Sequence, residues 1–171
     1  VVSEWLHDSV QPGTELQVSA PAGDFTLTEP ATAPVVLLSA GVGLTPMISL
    51  LGALTAAQTP HAIRYIHTTP SAATEAFGPY INTLAQDGKI QADVFYSQQA
   101  PANAQGAVNQ HAGRITQEWL KSQIDPRATY YICGPDSFMR DMIATLRAAG
   151  LPKAQVRYEF FGSASDADLV T

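Results

Sequence analysis

Apolar runs at residues 35–40, 62–67, 91–97, 129–133 and 155–160 alternate with segments of helical spacing at 45–58, 75–87, 116–123 and 136–149. A strand-helix alternation of this kind predicts an α/β domain, a five-stranded parallel sheet with helices on both faces. Val35, Val36, Leu37 and Leu38 are continuously apolar, which suits a strand covered on both sides. The pattern changes near residue 34. Residues 1–33 read as a short helix at 3–10, a Gln11-Pro12-Gly13 turn, a strand at 15–20 and a Pro- and Thr-rich connector ending at Pro34. That is too little to close a barrel. Residues 98–112, rich in Ala, Gln and Asn, read as a long mobile loop. There is no internal repeat.

The chemistry concentrates where strands meet helices. After the first run the chain reads Gly41-Val42-Gly43-Leu44-Thr45-Pro46-Met47. Two glycines permit a tight turn and a close backbone approach to a phosphate, with Thr45 as a helix cap and Pro46 at the first helical position. The positive end of that helix would then face an anion. Alone, the pattern fits a purely structural turn equally well, since Pro46 stands where the dinucleotide fingerprint has its third glycine. A second strand, 129–133, stops at Gly134-Pro135 before a helix with Phe138, Met142 and Leu146 on one face. Two such loops at the carboxyl ends of one sheet would share a crevice, the usual ligand position in an open α/β sheet.

Composition narrows the classes. With 171 residues, 46% of them hydrophobic, the chain is long enough to bury one ordinary core beside a remnant. Its net charge is −6 and its nine Lys and Arg residues are scattered, which argues against nucleic acid as a partner. Cys133 is the only cysteine, so an internal disulfide and a CxxC metal or redox site are excluded, and a reducing cytoplasm is compatible. No metal site is expected from His7, His61, His67 and His111. No apolar run approaches a membrane span and no signal peptide is visible. Val1 in place of an initiating Met is what a fragment of a longer chain would show.

Five segments, in order, carry a family resemblance over nearly the whole chain: Val2-Ser3-Glu4-Trp5-Leu6-His7-Asp8, Pro21-Ala22-Gly23-Asp24-Phe25, the glycine turn, Tyr131-Ile132-Cys133-Gly134-Pro135 and Tyr158-Glu159-Phe160-Phe161-Gly162. The two central motifs resemble the ferredoxin-NADP reductase family. The first and last are similar to the reductase portion of flavohaemoglobins. The resemblance implies strand order 3-2-1-4-5 and division into residues 1–33, the end of an antiparallel flavin-binding β-barrel, and 34–171, a NAD-binding domain. Three departures stand out: no Arg-x-Tyr-Ser flavin segment, no globin segment, and Ser163 where flavohaemoglobins usually have proline.

What the resemblance implies for individual residues is specific. Gly41, Val42, Gly43, Leu44, Thr45 and Pro46, with Gly134 and Pro135, would hold the nicotinamide dinucleotide. Val2 and Ser3 would offer backbone amides to the FAD pyrophosphate, although a serine there is also an ordinary helix cap. Cys133 would align the nicotinamide by position rather than as a nucleophile, though a lone cysteine on a strand is usually a small buried hydrophobe. Glu159 would tune flavin and haem potentials, where a carboxylate is otherwise simply solvated. Phe160, Phe161, Gly162 and Ser163 would lie along the flavin ring, the aromatics having core burial as their alternative.

The nucleotide is expected to be NADH rather than NADPH. His67-Thr68-Thr69-Pro70-Ser71 follows the second strand and Ser97-Gln98-Gln99-Ala100 the third, with no cation for a 2′-phosphate. Arg114, farther along, is the exception. The implied activity of an intact parent is hydride transfer from NADH to FAD and electron transfer to a globin haem, for nitric oxide dioxygenation in the cytoplasm. The isolated chain would be inactive in that reaction. Two other classes remain compatible with the residues: a reductase component serving an iron–sulfur acceptor or oxygenase, and a non-catalytic NADH-sensing module.

Overall fold

A computed structural model describes residues 2–27, 32–102 and 106–161. Six strands form one parallel sheet: β1 (Val35–Ala40), β2 (Ile63–Ser71), β3 (Gln91–Gln99), β4 (Asn109–Ala112), β5 (Thr129–Cys133) and β6 (Val156–Glu159). Their order is β4-β3-β2-β1-β5-β6. Without β4 this is the expected 3-2-1-4-5 arrangement. The addition is a correction, because the supposed loop at 98–112 holds a parallel edge strand. Its residues Asn109, Gln110, His111 and Ala112 have no apolar alternation, and they join the sheet through polar contacts to β3.

Helices α2 (Leu44–Ala56) and α3 (Gly78–Gln86) cover one face, and α4 (Gln117–Ser122) and α5 (Asp136–Ala148) the other. The alternation of β1 explains the division. Val35 and Leu37 pack with Met47, Leu51 and Leu54 of α2, while Val36 and Leu38 pack with Met139, Ile143 and Leu146 of α5. Each fully buried Leu, Ile or Met of this kind contributes roughly 1.5–3 kcal/mol by leaving water. Sandwiching the sheet in this way fixes the strand ends that carry the loops.

Some boundaries differ from the sequence pattern for physical reasons. The third helix begins at Gly78 rather than 75, because Pro79 belongs in a first turn. Phe77 before it has φ +60°, a left-handed conformation that costs a non-glycine residue roughly 1–2 kcal/mol. Helix α2 begins at Leu44, one residue early, so Thr45 is not its cap: its hydroxyl donates to the Val42 carbonyl at 3.0 Å. Pro46 is consequently the third helical residue, still within the turn whose N–H groups lack helical partners.

The N-terminal segment carries α1 (Val2–Asp8), so Ser3 lies inside the helix rather than capping it. A turn follows, closed by the Thr14 amide on the Gln11 carbonyl at 2.9 Å. The strand expected at 15–20 is absent: Leu16 and Val18 are 45% and 84% exposed, and no neighbouring strand pairs with them among the described residues. Phe25 anchors the segment. Its ring meets Tyr131 edge-on at 5.6 Å, and the Tyr131 hydroxyl donates to the Thr26 carbonyl at 3.3 Å.

Candidate functional site

The chain leaves β1 toward β2, β3 and β4 on one side and later returns to β5 and β6 on the other. Crossovers therefore diverge between β1 and β5. Their carboxyl ends form the crevice that an open α/β sheet uses for ligands. Both loops singled out in the sequence lie there.

The first loop is a 3-10 turn, Gly41–Gly43, that runs directly into α2. Gly41 has φ +53° and open space where a side chain would project. Gly43 is different. A Cβ there would collide with the Cys133 carbonyl and lie 2.7 Å from the Gly134 nitrogen. The missing side chain at Gly43 thus lets the first loop pack on the second. Gly134 is likewise tight, an added Cβ falling 2.7 Å from Phe138 Cδ1 and 3.1 Å from Ala40 Cβ. Close packing keeps the two loops in one fixed arrangement.

Two helix starts border the crevice, with different electrostatics. The first turn of α2 contains no acidic side chain, whereas α5 begins with Asp136. An anion is favoured at the free amides of α2 and disfavoured beside the Asp136 carboxylate. Val42, at the tip of the first loop, is exposed.

Cys133 is completely buried at the end of β5, in register with Ser39 of β1 and Glu159 of β6. Burial, reinforced by the Glu159 charge, pushes its thiol up to about 11, against a smaller opposing effect of the Gly134 backbone. The protonated thiol is a poor nucleophile near neutral pH. Next along the same register, Ser39 Oγ and His67 Nδ1 lie 2.9 Å apart, both buried. Desolvation pulls His67 down to about 4, only partly offset by Ser39, so its imidazole is neutral at physiological pH. This buried pair was not singled out from the sequence. Its signal is a polar residue within each apolar strand.

On the α5 side of the crevice is a cleft of about 350 Å³. It is lined by Ala40 and Gly41 at the end of β1, by Thr68, Thr69 and Pro70 of β2 and Ser97 of β3, and by Pro135, Ser137, Phe138, Asp141 and Met142 at and within α5. Arg114 and Ile115, between β4 and α4, complete the lining. Hydroxyl groups, one guanidinium and the Gly41 backbone offer donors for a phosphorylated nucleotide on the side away from the Asp141 carboxylate of α5. Sequence reasoning found the turn and Arg114. It missed Ser137 and Asp141, which lie among the apolar positions of α5.

The other predicted residues are more dispersed. Glu159 is exposed, and Phe160 is half-buried, packed edge-on to Tyr158 at 5.7 Å. Phe161 is 54% exposed. Gly162 and Ser163 lie outside the described residues. Val2 and Ser3 are exposed on α1. No group of His, Cys, Asp and Glu able to hold a metal occurs among the described residues. Nor is any helix among them long and apolar enough to cross a membrane.

Comparison with known proteins agrees with this architecture. A family described as the oxidoreductase NAD-binding domain matches residues 37–143. A flavohemoprotein of Xylella fastidiosa is 39% identical over 162 residues, covering 94% of this chain and 40% of the relative. The flavohem-like FAD/NAD-binding domain of nitric oxide dioxygenase from Vibrio cholerae superposes with a TM-score of 0.80 at 34% identity, over 95% of this chain and 65% of that one. A flavohemoglobin from Malassezia yamatoensis, solved with bound FAD and heme, superposes with a TM-score of 0.69 at 26% identity, over 90% of this chain and 42% of that one. The chain spans about 40% of the length of the curated relatives it matches. With both loops of the crevice inside the matched region, this chain belongs to the oxidoreductase NAD-binding domain family.

Proposed function

We propose that this chain is the nucleotide-binding part of a flavohaemoglobin reductase, acting in a longer protein that converts nitric oxide and oxygen to nitrate. One observation carries the reading: a glycine turn with an acid-free helix start packs against the Cys133-Gly134 loop at the switch point of the sheet. The likeness to flavohemoproteins supports it.

A bound nicotinamide dinucleotide would supply a hydride to FAD, whose electrons would continue to a globin haem in the parent protein. This chain's contribution is placement and shielding. The amides of residues 41–43 before α2 would receive the pyrophosphate, with Leu44, whose amide donates to the Gly41 and Val42 carbonyls, and Thr45 and Pro46 completing the same turn. Gly134 and Pro135 would border the nicotinamide half. Cys133 would act through shape, its buried protonated thiol filling the floor without attacking the ring. Glu159 and Phe161 are exposed at the neighbouring strand end, open to a flavin, and Phe160 supports them from the core side. Gly162 and Ser163 would continue that segment, and the amides of Val2 and Ser3 would meet the flavin pyrophosphate.

Exposed apolar groups support a division into residues 1–33, the end of a flavin-binding barrel, and 34–171, the NAD-binding domain. Val2, Trp5, Leu6, Leu16 and Val18 lie uncovered on the N-terminal segment, as expected of the end of a flavin barrel whose remainder would cover them. NADH is the preferred form, because the residues immediately after β2 and β3 are neutral. The whole protein would act in the cytoplasm, where NADH is available as reductant.

The test is calorimetric titration of the chain with NADH, followed by stopped-flow reduction in the full parent protein. Binding to the chain, NADH-dependent flavin reduction and nitric oxide consumption in the parent are expected. Absence of NADH binding to both would overturn the reading.

A further inference from the structure

Arg114 is the cation lining the cleft, and it has no hydrogen-bond or ion-pair partner among the described residues. Arg64 is engaged with Asp93 at 2.8 Å, Arg127 with Asp125 at 2.8 Å and Lys89 with Asp87 at 3.3 Å, and no other Lys or Arg lines this cleft. We propose that Arg114 binds the 2′-phosphate of a phosphorylated nicotinamide dinucleotide and thereby sets how far this site accepts NADPH beside NADH. The inference rests on the reading of the cleft as a dinucleotide site.

Position is the first argument. With the pyrophosphate on the turn after β1, the adenosine half extends across the ends of β2 and β3, marked in the cleft by Thr68, Thr69 and Ser97. Neighbouring strands are about 4.8 Å apart, so β3 ends about 10 Å from β1, a suitable distance for the ribose. Arg114 lines the same cleft as these residues, two positions beyond β4, the strand paired to β3.

Charge is the second argument. NAD-selective sites of this architecture place a carboxylate after the second strand, where it holds the ribose hydroxyls and repels a 2′-phosphate. Here the end of β2 reads Thr68-Thr69-Pro70-Ser71, with no acid, and the first carboxylate beyond it, Glu75, accepts from the Tyr96 hydroxyl at 2.6 Å and is not among the residues lining the cleft. The cleft's carboxylate, Asp141, belongs to the α5 wall. A guanidinium without a partner can present two parallel N–H donors to a phosphate.

Preorganisation is the third. The Gly113 amide donates to the Tyr96 carbonyl at 2.8 Å, and His111 Nε2 lies 2.9 Å from Asp93 Oδ1. On the other side, Thr116 caps α4, its hydroxyl accepting from the Trp119 amide at 3.1 Å. Arg114 therefore projects from a backbone held at both ends, which reduces the entropy lost on binding.

The test titrates the 171-residue chain and its Arg114→Ala and Arg114→Lys variants with 5′-AMP and with 2′,5′-ADP, which differ only in the 2′-phosphate. Arg114→Ala should weaken 2′,5′-ADP about tenfold or more, the range for one charge-assisted contact, and leave 5′-AMP within about twofold. Arg114→Lys should fall between. Because Arg114 is exposed, unchanged thermal unfolding is expected of both variants. Equal weakening of both nucleotides would assign Arg114 to the shared 5′-phosphate and overturn the proposal, as would no change in either. If the parent chain binds neither nucleotide, the dinucleotide reading itself falls.

Discussion

Gly43 rests directly on the backbone carbonyl of Cys133, so that the turn after β1 and the end of β5 are one packed unit. The sequence suggests that glycine at position 43 gives a phosphate access to the backbone. In the fold its missing side chain makes room for the neighbouring loop, while Gly41 has the positive φ and the open side.

A clear difference between the two glycines follows. Gly43→Ala forces backbone against Cβ and should destabilise the fold by about 1–3 kcal/mol or more, as overpacking does. Gly41→Ala meets only left-handed strain, about 1–2 kcal/mol, with no collision. Urea midpoints at constant slope measure both. Equal small shifts would show that the Cys133 loop yields easily, and that the two loops are not locked together.

The Cys133 thiol makes stability fall at high pH. Its folded pKa of about 11 lies above the ordinary value of 9.0, so between these the folded state holds a proton the unfolded state has lost. This contribution is constant below about 9 and declines as pH rises to about 11. Cys133→Ala should flatten that part of the stability curve. Iodoacetamide should label the native thiol far more slowly than the urea-unfolded one at pH 8. Rapid native labelling would contradict a buried neutral thiol and reopen a nucleophilic role.

The parallel sheet was legible because β1, β2, β3 and β5 are largely apolar runs, and the crevice because β1 and β5 run into Gly41 and Gly134. β4 was not, because its attachment is polar. Asp93, buried in β3, accepts from Arg64 Nη2 at 2.8 Å and Asn109 Nδ2 at 3.3 Å and contacts His111 Nε2 at 2.9 Å. The His111 ring also stacks on Phe95 at 4.3 Å, inside a cluster with Trp119. An acid within an otherwise apolar strand was the available signal. The strand expected at 15–20 was a misreading of the opposite kind: Leu16 and Val18 alternate correctly, but alternation cannot supply a partner strand. Cap assignments failed for a third reason, since a one-residue shift of α2 turns Thr45 from acceptor to donor.

Asp93→Ala tests that polar attachment. Removing one member of a buried charge pair leaves the other uncompensated, and costs of about 3–5 kcal/mol are usual. Arg64 is partly exposed, at 20%, which places this case toward the lower end. Amides of β4 should also lose hydrogen-exchange protection more than those of β1. Uniform loss of protection across the sheet would mean that Asp93 supports the whole core rather than the edge strand.

His67 gives the chain an acid-sensitive core. Its folded pKa is held near 4, below the ordinary 6.5, because charging the imidazole beside Ser39 would place a cation in an apolar interior. Between these values the unfolded state binds the extra proton. Stability therefore rises with pH across that window, and is lost as pH falls from 6.5 through 4. His67→Gln keeps a polar partner for Ser39 but cannot titrate. It should lower stability at pH 7 and remove much of the slope between pH 4 and 6.5, read from urea midpoints at each pH. An unchanged slope in the variant would assign the acid sensitivity to other groups and leave His67 as a packing residue beneath the crevice.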